Sequence, residues 1–368
     1  MKTVLENGRP DPGLSQRLLA WYAGHKRDLP WRRTQDPYHI WIAEIMLQQT
    51  RVDTAIPYYE NFLSRFPSVE ALAASSLDEV LKTWENLGYY ARARNLHRAA
   101  QEVVGRHAGR LPESYEELRG LPGIGDYTAG AILSTALGKP LPAVDGNARR
   151  VLVRLFAVEE PLDHPRTQAR LRELAQSLMP AKQASAFNQA LMELGAVLCA
   201  PKRPDCGRCP VRRDCLALKA GLAEALPLRR SRGFLPCHQE TTAVIEDRRG
   251  RRLVAQRFEN GLLGGLWKLP GGRLEPSEDP VGGLKRAVKA ELGVDLAVGD
   301  PLVEVRHAYT HFRIVLSAWT ARVNAGRPKA RGCADWRWAA AGDLDALAFA
   351  RADRKVLQAL AVRHSKDG

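Results

Sequence analysis

The sequence predicts two unlike domains, an all-α domain followed by an α+β domain, and three observations carry that division. Its 368 residues exceed what one hydrophobic core supports, so two domains of roughly 130 to 230 residues are expected. Apolar residues recur at three- and four-residue intervals from Leu14 to about Ala225 and at two-residue intervals later in the chain, the periods of helix and strand. Between them, residues 226 to 236 lose both periods between Pro227 and Pro236 and carry Arg229, Arg230 and Arg232 with no acid. The expected organisation is therefore a helical domain over 1–225, a linker over 226–236 that can lie along a phosphate backbone, and a second domain over 237–368.

The helical elements follow in order. Ile40 to Leu47, Ala129 to Leu137, Val151 to Phe156 and Ala186 to Val197 each carry the helical period. Ser114 with Glu117 forms a capping-box pattern for a short helix that ends before Gly120 and Pro122. In the second domain Thr241–Ile245, Arg252–Ala255 and Phe312–Trp319 alternate as strands, and Pro280 to Leu292 reads as one helix.

Composition narrows the class. Hydrophobic content of 45% and charged content of 26% suit a folded globular chain rather than a disordered one. A net charge of +14 is the balance of a protein that meets polyphosphate. No run approaches the roughly 18 to 20 apolar residues of a membrane span, and the first ten residues lack an export core. A cytosolic protein with no membrane partner is expected.

Four features carry chemistry. Cys199, Cys206, Cys209 and Cys215 lie within seventeen residues, enough thiolates to wrap one tetrahedral centre, either an iron–sulfur cluster or zinc. The residues between them carry a charge of +3, which suits a phosphate backbone. Leu121-Pro122-Gly123-Ile124-Gly125-Asp126-Tyr127-Thr128 is a helix–turn–helix whose Gly-x-Gly turn exposes backbone N–H groups at a helix start, where an anion is welcome. Glu44 sits inside an apolar helical run, so its carboxyl either pairs with a buried cation or stays protonated and serves as a general acid. Asp145, just ahead of a helix, is a cap, a carboxylate that stabilises positive charge on a sugar, or both.

Taken together, Leu29-Pro30-Trp31-Arg32, Trp41 to Thr50, the hairpin from Leu121 to Ile132, Val144-Asp145-Gly146-Asn147 and the four-cysteine loop resemble the helix–hairpin–helix DNA glycosylases, within them the adenine DNA glycosylases of the MutY type. The resemblance implies a [4Fe–4S] cluster on the four cysteines and a hairpin that grips a phosphate through Gly123, Gly125 and Thr128. It implies Glu44 and Asp145 as catalytic carboxylates, Glu44 protonating adenine at N7, with Asn147 orienting the site. Lyase-competent relatives resembling endonuclease III hold a lysine where this chain has Tyr127. A phenol cannot form a Schiff base, so hydrolysis without strand cleavage is implied, with Tyr127 lining the pocket. Arg32, Gln49, Thr50 and Tyr89 are the other implied DNA contacts.

The second domain is similar to the Nudix fold. Gly272, Glu278, Arg286, Glu291 and Gly293 keep the Nudix spacing, whereas Ala287 and Ala290 stand where two acids belong. Hard divalent cations need several carboxylate oxygens, so the resemblance implies binding without hydrolysis. Tyr309-Thr310-His311 stands where the family reads 8-oxoguanine. The implied partner is double-stranded DNA with adenine opposite 8-oxoguanine or guanine, bound by a monomer in a bacterial cytoplasm.

Overall fold

The structure, a computed structural model, describes residues 5–6, 9–10, 12–228 and 234–367. A two-residue antiparallel pair, β1 (Leu5–Glu6) and β2 (Arg9–Pro10), precedes twelve helices. These are α1 (Pro12–His25), α2 (Pro37–Leu47), α3 (Val52–Arg65), α4 (Val69–Ala74), α5 (Leu77–Thr83), α6 (Ala91–His107), α7 (Tyr115–Gly120), α8 (Asp126–Leu137), α9 (Gly146–Phe156), α10 (Pro165–Leu178), α11 (Ala184–Val197) and α12 (Leu216–Lys219). Two compact units emerge, one of Met1–Ala73 with Arg98–Arg232, the other of Ala74–His97 with Gly233–Gly368.

In the first unit, α2 starts because Asp36 caps it, accepting from the Tyr38 backbone N–H at 2.8 Å, with Pro37 at the first helical position. Its residues Ile40 to Met46 are all buried, as expected of a helix that is apolar all round. A second cluster gathers α1, α9, α10 and α11, where Leu14, Leu18, Leu152, Leu171, Phe187 and Leu191 are at most 1% exposed. Each such side chain contributes about 1.5–3 kcal/mol relative to exposure. Ser114 caps α7 by accepting from the Glu117 backbone at 3.1 Å, the expected start.

The second unit departs from the sequence division, because residues 74–97 pack with the C-terminal chain. Arg94 donates to the carbonyls of Gly264 at 2.7 Å and Gly261 at 3.1 Å, and Arg354 pairs with Glu85 at 2.7 Å. These are contacts across 167 to 269 positions, which local periodicity does not encode.

Its strands are β3 (Cys237–Ile245), β4 (Arg252–Gln256), β5 (Trp267–Lys268), β6 (Gly271–Arg273), β7 (Asp295–Ala308), β8 (Arg313–Ala325) and β9 (Asp335–Ala339), with helices α13 (Pro280–Leu292), α14 (Asp343–Ala346) and α15 (Arg351–Asp367). One sheet runs β6-β3-β8-β7 and the other β5-β4-β9; within these sheets the β3–β8 pairing is parallel and the others are antiparallel. Leu284, Val288 and Leu292 of α13 bury against Ala243 and Ile245 of β3. The segment at 309–311 is the turn joining β7 to β8, closed by the Tyr309 N–H donating to the Phe312 carbonyl at 2.8 Å. The linker arginines Arg229, Arg230 and Arg232 lie outside the described residues. Among the described residues no helix is long and apolar enough to cross a membrane.

Candidate active site

A cavity of about 880 Å³ opens in the first unit, and sequence-distant segments converge on it. Glu44, Gln48, Tyr127, Asp145, Asn147 and Glu193 are among its walls. Glu44 is carried by buried α2, Tyr127 by the first turn of α8, Asp145 by the start of α9 and Glu193 by α11.

Glu44 is 3% exposed. Burial pushes its carboxyl up to about 7, with the hydrogen bond from Tyr127 opposing and the charge of Asp145 adding to the rise. The Tyr127 hydroxyl donates to Glu44 Oε2 through a short contact and lies 3.6 Å from the Met192 sulfur. Burial, then the neighbouring carboxylates, raise the phenol well above its ordinary value, so it keeps its own proton. With Tyr127 donating to Oε2, a protonated Glu44 carries its acidic proton on Oε1. Arg32, whose charge opposes the rise, is paired with Glu193 at 2.8 Å, so burial prevails at Glu44.

Asp145 is a helix cap that also faces the cavity. It caps α9, accepting from the Ala148 N–H at 2.7 Å, and receives the Asn147 side-chain amide at 3.1 Å. Burial prevails and raises its carboxyl above the ordinary value, although the backbone of Ala148 and Asn147, the Asn147 side chain and the Arg150 charge all oppose the rise. Two acids in one cavity, both desolvated, thus have different surroundings, one with a single donor and the other with several donors at a helix N-terminus.

Asn147 is held in turn by Arg150, which donates to its side chain at 2.8 Å, to the Gly195 carbonyl at 2.8 Å and to the Cys199 carbonyl at 2.7 Å. Asp145 is therefore hydrogen-bonded, through two side chains, to the start of the cysteine loop. Gly195 permits the close approach of α9 to α11: a β-carbon there would come within 2.7 Å of the Asn147 Cβ.

Arg32 does not project as a free phosphate ligand. It reaches Glu193 at 2.8 Å, Gln189 at 3.1 Å and the Arg27 carbonyl at 2.9 Å, and its side chain is 11% exposed. Arg27 pairs with the same carboxylate at 2.7 Å. Burial would raise Glu193, yet the two guanidiniums hold it at about 2, so the wall carries one carboxylate between two cations. Arg27, Gln48, Gln189, Met192 and Glu193 were not singled out by the sequence. Glu193 nevertheless carries the signal that exposed Glu44, an acid inside an apolar helical run.

The hairpin places Gly123, at φ +80°, and Gly125 in exposed positions ahead of α8. Thr128 is 2% exposed and accepts from Gln48 at 3.3 Å, so an anion at this turn meets the backbone of the glycines rather than that hydroxyl. Asp126 is tied to Tyr115 at 3.0 Å, to Arg119 at 2.5 Å and to Arg172. Gln49, exposed at φ +59°, and Thr50 border the cavity; a left-handed non-glycine residue is strained by about 1–2 kcal/mol. Tyr89 belongs to the second unit, where its hydroxyl lies 2.7 Å from that of exposed Thr310. His311 is exposed in the same turn.

The four cysteines, all free thiols, surround a hollow of about 30 Å³. Burial pushes Cys209 up to about 12 and raises Cys206 and Cys215 as well, with neighbouring cysteines adding to each. Arg154, 2% exposed, lies 3.3 Å from the Cys199 sulfur and donates to the carbonyls of Ala200 and Leu226. Among the described residues no group of three or more His, Cys, Asp or Glu side chains is disposed to hold a single metal ion.

In the second unit the surviving Nudix-pattern acids are paired internally. Glu278 is bidentate with Arg286 at 2.6 and 2.7 Å, and Glu291 accepts from Lys268 at 2.9 Å and from the Gly271 N–H at 3.2 Å.

Comparison with known proteins adds independent findings. Residues 42–177 match the family model of the HhH-GPD superfamily base excision DNA repair proteins, and residues 241–359 that of the NUDIX domain. The chain is 34% identical over 402 residues to the adenine DNA glycosylase of Homo sapiens, covering 93% of this chain and 72% of that protein. It is 39% identical over 222 residues to the adenine DNA glycosylase of Buchnera aphidicola subsp. Schizaphis graminum, covering 60% of this chain and 64% of that one. Among solved structures, a thermostable thymine-DNA glycosylase is similar at a TM-score of 0.53 with 31% identity, over 56% of this chain and 96% of that chain.

Proposed function

Because the chain belongs to the adenine DNA glycosylase family, we propose that it hydrolyses the N-glycosidic bond of adenine mispaired with 8-oxoguanine or guanine in double-stranded DNA, leaving an abasic site without strand cleavage. The observation that carries this is the pair of unlike carboxyls in one cavity, a desolvated Glu44 that keeps its proton to about pH 7 and an Asp145 ringed by donors. A glycosylase must extrude its target from the stack, and the cavity of about 880 Å³ has room for a purine and its sugar. Glu44 gives its Oε1 proton to adenine N7; the C1′–N9 bond breaks with its electron pair passing into the base; Asp145 stabilises the oxocarbenium-like sugar until water adds at C1′ and gives up a proton to the ionised Glu44 carboxylate. Asn147 holds Asp145 in place, and Gly123 and Gly125 offer backbone N–H groups to a phosphate. Single-turnover release of adenine opposite 8-oxoguanine, guanine and thymine tests the assignment.

Tyr127 keeps its hydroxyl beneath Glu44 and offers no amine, so borohydride will trap no protein–DNA adduct at a level comparable to turnover. Substituting Gly195→Ala will slow adenine release between about 10- and 100-fold with duplex affinity retained, since displacing Asn147 shifts the carboxylate it orients. Single-turnover kinetics beside a binding titration will show it, and unchanged kinetics would remove Asn147 from the site.

The cysteine loop would hold a [4Fe–4S] cluster on Cys199, Cys206, Cys209 and Cys215. Four unbridged thiols around one hollow, with the buried Arg154 guanidinium against one sulfur, form a donor set fitted to it. Its contribution when bound is structural, fixing the basic loop. The purified protein will be brown and contain iron and acid-labile sulfide in equal amounts, and Cys209→Ser will bleach it.

Reading of 8-oxoguanine falls to the Tyr309–Thr310–His311 turn, supported by the exposed Thr310 hydroxyl and its bond to Tyr89. Thr310→Val, which keeps the size and removes the hydroxyl, will lower the preference for 8-oxoguanine over guanine by about 3- to 10-fold, the worth of one hydrogen bond. The same competition between two duplexes scores Tyr89→Phe. Nucleotide hydrolysis is absent from this proposal because Ala287 and Ala290 supply no oxygen ligands and Glu278 and Glu291 are neutralised by Arg286 and Lys268. A monomer acting on the nucleoid of a bacterial cell completes the proposal.

A further inference from the structure

Within the second unit, residues 84–90 connect α5 to α6 and read Trp84-Glu85-Asn86-Leu87-Gly88-Tyr89-Tyr90. Three of them take left-handed backbone, Asn86 at φ +72°, Gly88 at φ +77° and Tyr89 at φ +49°. Glycine adopts it freely, whereas a bulky tyrosine there is strained and keeps the conformation only where its surroundings impose it. The Tyr89 side chain belongs to a residue that is 37% exposed, so the constraint comes from what lies beneath the ring rather than from burying it.

Arg92, in the first turn of α6, supplies that constraint and is 9% exposed. Its guanidinium carbon lies 5.5 Å from the centre of the Tyr89 ring and 5.3 Å from that of fully buried Trp84. The same guanidinium donates to the carbonyls of Gly88 at 3.2 Å and Leu87 at 3.4 Å. The Trp84 indole N–H donates to the Gly88 carbonyl as well, at 3.1 Å, and the Arg92 backbone N–H closes the turn on the Tyr89 carbonyl at 2.8 Å. One side chain therefore holds both the backbone leading into Tyr89 and the face of its ring. Burial pushes the guanidinium down to about 10, so it keeps its charge at neutral pH.

A cation taken out of water loses hydration that its neighbours must replace, and an aromatic face does so more strongly in a desolvated site than at the surface. The outcome is an exposed ring with few poses. Its hydroxyl is engaged too, 2.7 Å from that of Thr310. A ring fixed before its ligand arrives gives up less side-chain freedom on binding, and the ligand that a presented tyrosine face suits in a protein acting on DNA is a stacked base.

We propose that Arg92 is a positioning residue for DNA binding, holding Tyr89 in the strained, presented pose from which its ring stacks on a base of the bound duplex. The proposal rests on the reading of Tyr89 as a DNA contact. Arg92 touches no base itself and acts through the ring above it.

The test titrates the full-length protein with a duplex that carries a stable abasic analogue opposite 8-oxoguanine and the fluorescent base 2-aminopurine beside the 8-oxoguanine, placed on either side in turn. Wild type should quench the fluorescence from one of the two positions as Tyr89 stacks. Tyr89→Ala should weaken binding about fivefold or more and abolish that quenching. Arg92→Met, which keeps the length of the stem and removes the charge and the donors, should weaken binding about 3- to 10-fold and lose most of the quenching, and Arg92→Lys should recover part of both. The double variant Arg92→Met with Tyr89→Ala should bind within about twofold of Tyr89→Ala, because nothing is left to position. A merely structural arginine would instead weaken binding by the same factor in both backgrounds, and that additivity would overturn the proposal. Where Arg92→Met folds poorly, the same cycle run with Arg92→Gln decides between the two outcomes. Wild-type affinity and quenching in Arg92→Met beside a weakened Tyr89→Ala would overturn the role of Arg92 and leave Tyr89 as a DNA contact. Wild-type affinity in Tyr89→Ala would overturn both.

Discussion

Glu44→Gln will lower the single-turnover rate of adenine release by about 10²- to 10⁴-fold, the range of a lost general acid, while affinity for the mispaired duplex stays within a few-fold of wild type. The glutamine carbonyl can still accept from Tyr127, so the wall keeps its geometry and loses only a transferable proton. In the wild type the acid must be protonated to act, and its carboxyl is pushed up to about 7 by burial. The rate should therefore be level below that pH and fall about tenfold per unit above it. A rate that rises through pH 8 would assign Glu44 as a base instead.

The same burial has a stability consequence of opposite sense. A carboxyl whose pKa is higher folded than unfolded binds its proton more tightly in the native state, so its contribution is fully favourable below about 4.5 and lost as pH rises to about 7. Above that, wild type carries a desolvated charge at a cost on the order of 3 kcal/mol, and Glu44→Gln does not. The variant should melt higher than wild type at pH 8 and close to it at pH 5, a gain in stability obtained by removing function. Equal melting temperatures at pH 8 would mean that Glu44 is solvated.

What the sequence discloses of this site follows from how far each contact reaches. Glu44, Asp145, Asn147 and the hairpin lie in short segments whose chemistry is local, such as a cap, an acid in an apolar helix or a Gly-x-Gly turn, and the first three line one cavity with Tyr127 of the hairpin. The Arg27–Glu193 pairing spans 166 positions, and nothing near Arg27 announces it. Gly195 is likewise silent, because its role exists only where α11 meets Asn147. In the second unit β3 and β4 were legible from period two, and Pro280 to Leu292 reads as the one helix that α13 is. The 14-residue β7 was not: Gly299, Asp300 and Pro301 break its alternation, and the structure accommodates them with register shifts against β8 between residues 295 and 303. Residues 74–97 read as helical and carry α5 and the start of α6, but which unit they join is decided by pairs such as Arg94 with Gly264, which no local pattern specifies.

Asp145→Asn separates the two carboxyls. Asparagine is as good a helix cap as aspartate, so α9 should start unchanged and the protein should melt near wild type. The charge facing the sugar disappears, and release should fall by about 10²- to 10³-fold, the scale of removing one electrostatic stabiliser of a transition state. The pH profile carries the sharper test. The Asp145 charge is one of the influences raising Glu44; without it Glu44 ionises more easily, and the alkaline limb of the residual activity should move to lower pH. An asparagine variant that is slow but keeps the wild-type limb would show that the two groups do not sense each other, and the division of labour between a proton donor and an ionised neighbour would fail with it. Near-normal turnover would instead leave Asp145 as a cap alone.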